Sequence, residues 1–336
     1  MRNQTLTAVP GVRVGHAQDE AARTGCTVII GPFRAAAFVG GFATGTRELD
    51  LLQPAHLSPL VDAILLTGGS AFGLAAADGV MQWLEQQGRG FDAGVARVPL
   101  VPAAVLFDLA VGSAARRPDA AMGRAACEAA SAEPVIEGTV GAGTGATVGK
   151  LLGADGAMPG GVGSWSDRVG DYEIGALVAV NALGDVLSEH GEIIAGARQP
   201  DGSFVNSMTL LLGADPAAGA VPLSNTTLAV VGTNAPLGYA ELGALARVAA
   251  SALARRIAPV FTPFDGDIVF AFSTASGATE IDAQTRLILG AAAQLALERA
   301  IERAVTVVSR GGTVSRRTES RRTESRRTES GPTESD

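Results

Sequence analysis

The chain contains one lysine among its 26 lysines and arginines, and this residue, Lys150, ends a glycine-rich stretch at residues 141–150. A lysine ammonium is a compact charge whose pKa shifts readily on burial, whereas an arginine guanidinium is wide and permanently charged. In a chain that uses arginine for every other such charge, Lys150 is a candidate for a chemical role. The alternative is an ordinary exposed lysine.

The glycine-rich stretch has the wrong spacing for a nucleotide site. A phosphate loop has four residues between its first glycine and its Gly-Lys pair, followed by Ser or Thr. Here five residues separate Gly143 from Gly149, and Leu151 stands at the hydroxyl position. The dinucleotide pattern also fails, because Ala146 or Val148 falls where its last glycine belongs. Nucleotide binding is therefore not expected.

A serine hydrolase is the next enzyme class to consider. Ser70 follows two glycines at a predicted strand-to-helix turn, but Phe72 stands where a nucleophile elbow needs glycine. Ser70 is better interpreted as a helix N-cap or a hydroxyl in a pocket wall. The three histidines show no zinc-ligand spacing and are scattered at His16, His56 and His190. No metal or cofactor is expected. A hydrolase without a catalytic histidine would need another group as its general base.

Residues 221–231 suggest a different nucleophile. A long irregular loop is predicted to end at Asn225, and Thr226 and Thr227 open an apolar β-branched run. One interpretation is a loop entering a buried strand, with Asn225 in an Asx turn. The other is self-cleavage, in which the Thr226 hydroxyl attacks the Asn225 carbonyl and hydrolysis frees the Thr226 α-amine. Such an amine, with a pKa of about 7.7 to 8.0, supplies its own base.

Alternating strand and helix patterns predict an α/β layered domain that would position these residues. The predicted strands are residues 26–30, 35–42, 62–66, 105–111, 226–233 and 268–273, with a strand pair turned at 181–184 within 173–187. The predicted helices are residues 71–87, 119–131, 238–256 and 282–307. Loops are expected at residues 153–172 and 195–222.

Composition limits the class of protein. The chain has 336 residues, 47% hydrophobic residues and a formal net charge of -8, which indicates a globular protein without the basic surface of a nucleic-acid binder. No apolar run approaches a membrane span and no signal segment is found, so a cytoplasmic location is expected. Cys26 and Cys127 are expected to be buried free thiols. One domain over residues 1–310 is predicted, followed by a disordered tail of Ser-Arg-Arg-Thr-Glu repeats at 311–336.

Five segments in order along the chain carry a family resemblance. They are Thr-Gly-Gly-Ser-Ala-Phe-Gly-Leu at 67–74, Val-Pro-Ala-Ala-Val-Leu-Phe-Asp-Leu at 101–109, Gly-Ala-Gly at 141–143 with Lys150, Asn-Thr-Thr at 225–227 and Asp-Gly-Asp at 265–267. Together they resemble the P1 peptidase family of L-aminopeptidase/D-esterases, β-peptidyl aminopeptidases and nylon-oligomer endoamidases. The resemblance implies a self-processing N-terminal-nucleophile hydrolase with a four-layer αββα sandwich. It also implies homo-oligomers of processed heterodimers.

The resemblance implies a role for each matched residue. Thr226 would be the nucleophile, exposed by cleavage after Asn225 into chains 1–225 and 226–336. Lys150 and Asn181 match polar active-site groups, and the Asn181 amide could donate to an oxyanion. The paired acids that orient the new amine and hydroxyl match Asp265 and Asp267, whose alternative is a hairpin turn.

Ser70, Phe72 and Phe107 are expected to line the substrate pocket. Aminopeptidase members carry Tyr at the position of Phe107 and Ser as the nucleophile, so the set with Thr226 and Lys150 favours the nylon-oligomer branch. The expected substrates are small linear amides, such as 6-aminohexanoate oligomers, or short peptides. The alternatives are an aminopeptidase acting on N-terminally free peptides, an acyltransferase and an unprocessed binding protein. No nucleic-acid or membrane partner is expected.

Overall fold

The structure, a computed structural model, describes residues 3–54, 56–57, 60–214 and 225–309. The predicted tail at 311–336 lies outside these residues, as do residues 215–224 before Asn225. The described helices are α1 (Ala76–Gln86), α2 (Ala120–Glu128), α3 (Ser207–Gly213), α4 (Tyr239–Arg256) and α5 (Ala283–Ser309). The described strands are β1 (Arg13–Asp19), β2 (Thr24–Val39), β3 (Gly45–Arg47), β4 (Val61–Thr67), β5 (Phe91–Asp92), β6 (Arg97–Val98), β7 (Ala103–Val105), β8 (Thr147–Val148), β9 (Met158–Pro159), β10 (Gly161–Val169), β11 (Tyr172–Asn181), β12 (Asp185–Leu187), β13 (Ile193–Ala195), β14 (Thr226–Thr233), β15 (Ile257–Ala258) and β16 (Ile268–Ser273).

Strand β2 belongs to two packed sheets. Its first part pairs with β1 and β4, and β4 continues the sheet to β7 and β3. Its last part pairs with β16, followed by β14, β11 and β10. One long strand thus connects the two sheets of the domain.

Buried side chains form three apolar layers around these sheets. The first layer packs α1 and α2 on β2 and β4. The second lies between the two sheets and includes Ile29, Ile64, Leu177 and Phe270. The third packs α4 and α5 on the outer face of β11, β14 and β16. Since side chains alternate along a strand, Leu177 faces the other sheet while its neighbour Val178 faces the helices. The layer order is the predicted αββα sandwich.

Several predicted elements agree closely with the structure. Strands β14 and β16 have the predicted bounds, and α4 and α5 begin within one residue of their predicted starts. The predicted helix at 71–87 begins instead with a 3-10 turn, Ser70–Ala75. The predicted helix at 119–131 is α2, with the Asp119 side chain capping it by accepting from Met122 N.

Other predictions were wrong. The two strands predicted at 26–30 and 35–42 are one strand, because the chain passes Gly31 and Pro32 as a bulge in its pairing with β4. The strand predicted at 105–111 leaves the sheet after Val105. Strands β11 and β12 do not form the predicted pair, since β11 pairs with β10 and β14 while β12 pairs with β13 and β15.

The loop predicted at 153–172 contains β10, which packs closely beneath α5. The glycines of β10 interrupt the apolar pattern expected of a strand. They are needed because α5 packs so closely on β10. A Cβ atom on Gly163 would lie 2.0 Å from the Ala300 carbonyl oxygen. The segment at 195–222 holds α3, and residues 215–222 lie outside the described residues. No helix among the described residues is long and apolar enough to cross a membrane.

Candidate active site

The Asn225–Thr226 peptide lies at the buried start of β14, with both residues less than 5% exposed. The Thr226 hydroxyl donates a hydrogen bond to the Asn225 carbonyl oxygen. The same oxygen accepts from the Gly266 amide at 3.1 Å. The Asn225 carbonyl oxygen therefore accepts from both the hydroxyl of the next residue and a backbone amide, and such donors stabilise negative charge on a carbonyl oxygen.

Gly266 fits this place because it has no side chain. A Cβ atom there would lie 2.7 Å from Thr226 Oγ1 and 2.9 Å from the Ala43 carbonyl oxygen. Its neighbour Asp265 forms a parallel bridge with Asn225 and accepts from Ala43 N at 2.9 Å through its backbone carbonyl. The Asp-Gly-Asp segment thus supports the carbonyl from one side.

Asp265 and Asp267 are buried beside Thr226. Asp267 accepts from Thr227 N at 2.6 Å and from Phe261 N at 3.3 Å, and Asp265 accepts from Thr262 N at 2.7 Å. Burial, together with the charge of Asp265, raises the pKa of Asp267 to about 7. Burial also raises the pKa of Asp265, while Lys150 lowers it. Asp267 thus fixes the amide that follows Thr226.

Lys150 is buried, which confirms that it is not an ordinary surface lysine. Its Nζ donates to the Asn181 carbonyl oxygen at 3.1 Å and to Asn181 Oδ1 at 2.8 Å. Burial lowers the Lys150 pKa to about 7, against the opposing charges of Asp265, Asp267 and Asp108. Near neutral pH both charge states are therefore populated, which an arginine at this position would not allow.

The residue before Lys150 explains part of the glycine-rich stretch. Gly149 has φ +69°, in the left-handed region that favours glycine. A Cβ atom at this position would lie 2.0 Å from Ala197 N. The glycine thus allows the backbone turn and the close approach that direct Lys150 inward.

Asn181 contacts Lys150 and lies opposite Thr226. It pairs with Thr226 in the register of β11 and β14. Its Oδ1 accepts from Thr147 N at 3.0 Å and from Lys150 Nζ, while its Nδ2 donates to the Phe107 carbonyl oxygen at 3.0 Å. The predicted oxyanion donor therefore lies on the strand beside Thr226, with one amide proton directed to Phe107.

Asp108 was missed as a site residue by the sequence reasoning. It is buried and accepts from Thr24 Oγ1 at 2.7 Å and from Gly69 N at 2.7 Å. These bonds hold the turn in which Gly69 and Ser70 both have positive φ, +80° and +53°. Burial raises the Asp108 pKa, and the Lys150 charge opposes that rise. The signal in the sequence that could have identified Asp108 is its position as a charged residue inside the apolar segment 105–109.

A cleft of about 240 Å³ opens over Thr226 and is called the Thr226 cleft. Its lining comprises Ala43, Thr44, Gly45, Ser70, Ala71, Val105, Phe107, Asn225, Thr226 and Phe264. Two of the predicted pocket residues, Ser70 and Phe107, line it. Phe72 is not among its lining residues, and its ring is 58% exposed with the Arg117 guanidinium 3.7 Å from the ring centre.

Other candidate groups lie elsewhere in the described residues. Cys26 and Cys127 are buried free thiols, as predicted. His16 contacts Thr27 Oγ1 at 2.9 Å, and burial lowers its pKa to about 4. No group of three or more His, Cys, Asp or Glu side chains in the described ranges could hold a metal ion.

The fold is that of N-terminal-nucleophile hydrolases. A β-aminopeptidase from Burkholderia sp. matches with a TM-score of 0.68 and 24% identity over 90% of this chain and 86% of that one. The L-aminopeptidase D-Ala-esterase/amidase from Ochrobactrum anthropi, described as a variant of this fold, matches with a TM-score of 0.69 and 21% identity over 91% and 86%. At these identities the likeness shows the fold, and it confirms the predicted class.

The sequence comparisons identify the family. The family model described as Peptidase family S58 matches residues 4–318, so the chain belongs to this family of amide-hydrolysing enzymes. An uncharacterized aminopeptidase of Mycobacterium tuberculosis (strain ATCC 25618 / H37Rv) is 40% identical over 88% of this chain and 92% of its own. The 6-aminohexanoate-oligomer endohydrolase of Kocuria sp. (strain KY2) is 34% identical over 82% and 75%. The resemblance drawn from the five motifs is confirmed.

Proposed function

We propose that this amide hydrolase activates itself by cleavage at Asn225–Thr226 and then uses Thr226 as its nucleophile. The observation that carries the proposal is the buried Asn225 carbonyl, which contacts both the Thr226 hydroxyl and the Gly266 amide. A loop that merely enters a strand does not require a nucleophile and an oxyanion donor on one carbonyl.

Processing would begin with attack of Thr226 Oγ1 on the Asn225 carbonyl carbon. The oxygen–carbon bond forms, the Asn225–Thr226 carbon–nitrogen bond breaks, and the hydroxyl proton is transferred to the departing nitrogen. The developing charge on the carbonyl oxygen is stabilised by the Gly266 N–H. Water then hydrolyses the ester, which leaves a carboxylate on Asn225 and a free α-amine and hydroxyl on Thr226.

Turnover would use the same hydroxyl on a substrate amide. The Thr226 α-amine accepts the hydroxyl proton and returns it to the leaving amine, since a free α-amine titrates near neutral pH. An acyl ester on Thr226 forms, and water hydrolyses it. Asp267, bonded to the amide of Thr227, holds the start of the strand in place through both steps.

The substrates we propose are linear amides such as 6-aminohexanoate oligomers, or short peptides. The relative named a 6-aminohexanoate-oligomer endohydrolase supports the first class. A second candidate, cleavage of N-terminally free peptides, is supported by the 40%-identical relatives named aminopeptidases. Hydrolysis of a short peptide and of its N-acetylated form separates them, because loss on acetylation indicates an aminopeptidase. We further propose that the cleaved chain forms homo-oligomers of heterodimers, which light scattering would measure.

The test of self-processing is the Thr226→Ala variant. It should remain one uncut chain of native fold, because the attacking oxygen is absent. Thr226→Ser is the matched control, since it keeps a hydroxyl and should still be cut. Cleavage of Thr226→Ala at the same bond, measured by intact mass, would contradict the proposal.

A further inference from the structure

A second cavity adjoins the Thr226 cleft at Phe107, which lines both. We call it the Lys150 cavity; its volume is about 390 Å³, within the range of small-molecule sites. Its lining comprises Phe107, Ala110, Val111, Gly112, Thr147, Lys150, Gly153, Ala154 and Ala157. None of the roles described above for processing or turnover uses it.

The two cavities are connected through Asn181. This residue contacts Thr147 N and Lys150 Nζ, from the lining of the Lys150 cavity, and donates to the carbonyl oxygen of Phe107. It also lies opposite Thr226 in the paired strands. A molecule with its scissile amide at Thr226 therefore has the Lys150 cavity as the adjoining space beyond Phe107.

The lining of this cavity extends from exposed small residues to a buried lysine. Its small residues Ala110, Gly112, Gly153 and Ala154 are exposed, whereas Lys150 is buried at 6% exposure. A cavity with small apolar walls and one buried polar group suits an unbranched aliphatic chain that carries a carbonyl or carboxylate.

We propose that the Lys150 cavity is the subsite for an unbranched aliphatic segment next to the scissile amide, with the following polar group of the substrate directed to Lys150. This inference rests on the proposed function, because it places the scissile bond at Thr226. Each methylene group that enters the cavity should increase kcat/KM about fourfold. A hexanoyl group has four methylenes more than an acetyl group, so kcat/KM should rise about 200-fold from acetyl to hexanoyl.

The experiment narrows the cavity from its exposed side with Ala154→Phe and Ala110→Phe, and it uses Ala96→Phe as the matched control. Ala96 is also an exposed alanine, but it lines a separate groove with Arg47 and Asp78. Two substrate series are measured on the processed enzymes: acyl p-nitroanilides from acetyl to hexanoyl, and N-alkyl acetamides from methyl to hexyl. The series that shows a length dependence identifies which side of the amide occupies the cavity.

The wild-type chain and Ala96→Phe should share the length dependence in one series, and at least one cavity variant should reduce it to less than tenfold. Equal length dependence in all four proteins would overturn the subsite. No length dependence in the active wild-type enzyme would overturn it too. A cut wild-type enzyme that hydrolyses neither series would overturn the subsite alone, whereas a wild-type chain that is not cut after Asn225 would overturn the proposed function along with it.

Discussion

Gly266→Ala tests whether the Gly266 amide is the oxyanion donor for self-cleavage, because the structure leaves no room for the added carbon. The new Cβ would lie 2.7 Å from Thr226 Oγ1 and 2.9 Å from the Ala43 carbonyl oxygen, so the hydroxyl or the Gly266 amide must move by about half an ångström. Either movement weakens the contacts on the Asn225 carbonyl. Loss of one oxyanion donor costs about 10² to 10³ in rate. We expect self-cleavage to slow by about 100-fold.

The assay is the fraction of cut chain against time, followed by intact mass after expression at low temperature. Overpacking should also lower the free energy of unfolding by about 1 to 3 kcal/mol, so thermal unfolding is measured alongside. Gly243→Ala is the matched control, because nothing lies within 4 Å of a Cβ at that helical position. If Gly266→Ala is cut at the wild-type rate, the Gly266 amide is not the donor and the mechanism of processing given above is refuted.

Three further predictions concern buried charges. Lys150→Arg should slow processing or turnover at least tenfold and flatten the pH–rate profile around pH 7, because a guanidinium stays charged. If the variant has the rates and the pH profile of the wild type, the lone lysine has no chemical role. Because the pKa of Asp267 is raised to about 7, the free energy of unfolding should fall as pH rises from about 4 to 7. Because the pKa of Lys150 is lowered to about 7, the free energy of unfolding should rise again from about pH 7 to 10. Urea unfolding of uncut Thr226→Ala should show this minimum, and adding Asp267→Asn should flatten its acid side; an unchanged acid side would contradict it. Glu298→Gln should lower the free energy of unfolding by about 3 kcal/mol, because the buried Glu298 pairs at 2.6 Å with the buried Arg256 and with the exposed Arg255. The self-cleavage rate should stay unchanged, and a loss of cleavage in the folded variant would place the pair in the chemistry.

The sequence predicted the elements whose own pattern is strong. Strand β14 is a run of β-branched and apolar residues, and α4 and α5 carry long helical patterns, so local physics was sufficient. The strand β10 was missed because its glycines allow close packing beneath α5 and its Ser164 bonds to Leu6 N and to the Ala176 carbonyl oxygen, which a local pattern does not reveal. The four-layer order was predicted through the family resemblance.

The site was predictable as a set of residue types and not as a network. Lys150 and Thr226 were identified from the sequence and Asn181 through the family resemblance. In the structure Asn181 pairs with Thr226 across two strands and contacts Lys150. The role of Asp108 depends on contacts with Thr24 and Gly69, residues 84 and 39 positions away, so no local spacing indicates it. The Gly266 contact with Asn225 is likewise a product of the fold.

The central claim is that Thr226 is exposed by cleavage of its own chain. The most direct measurement is the intact mass of the purified wild-type protein beside Thr226→Ala, both expressed in the same host. We predict two fragments for the wild type, residues 1–225 and 226–336, and one uncut chain for the variant. A wild-type protein that is catalytically active and remains a single uncut chain would contradict the account.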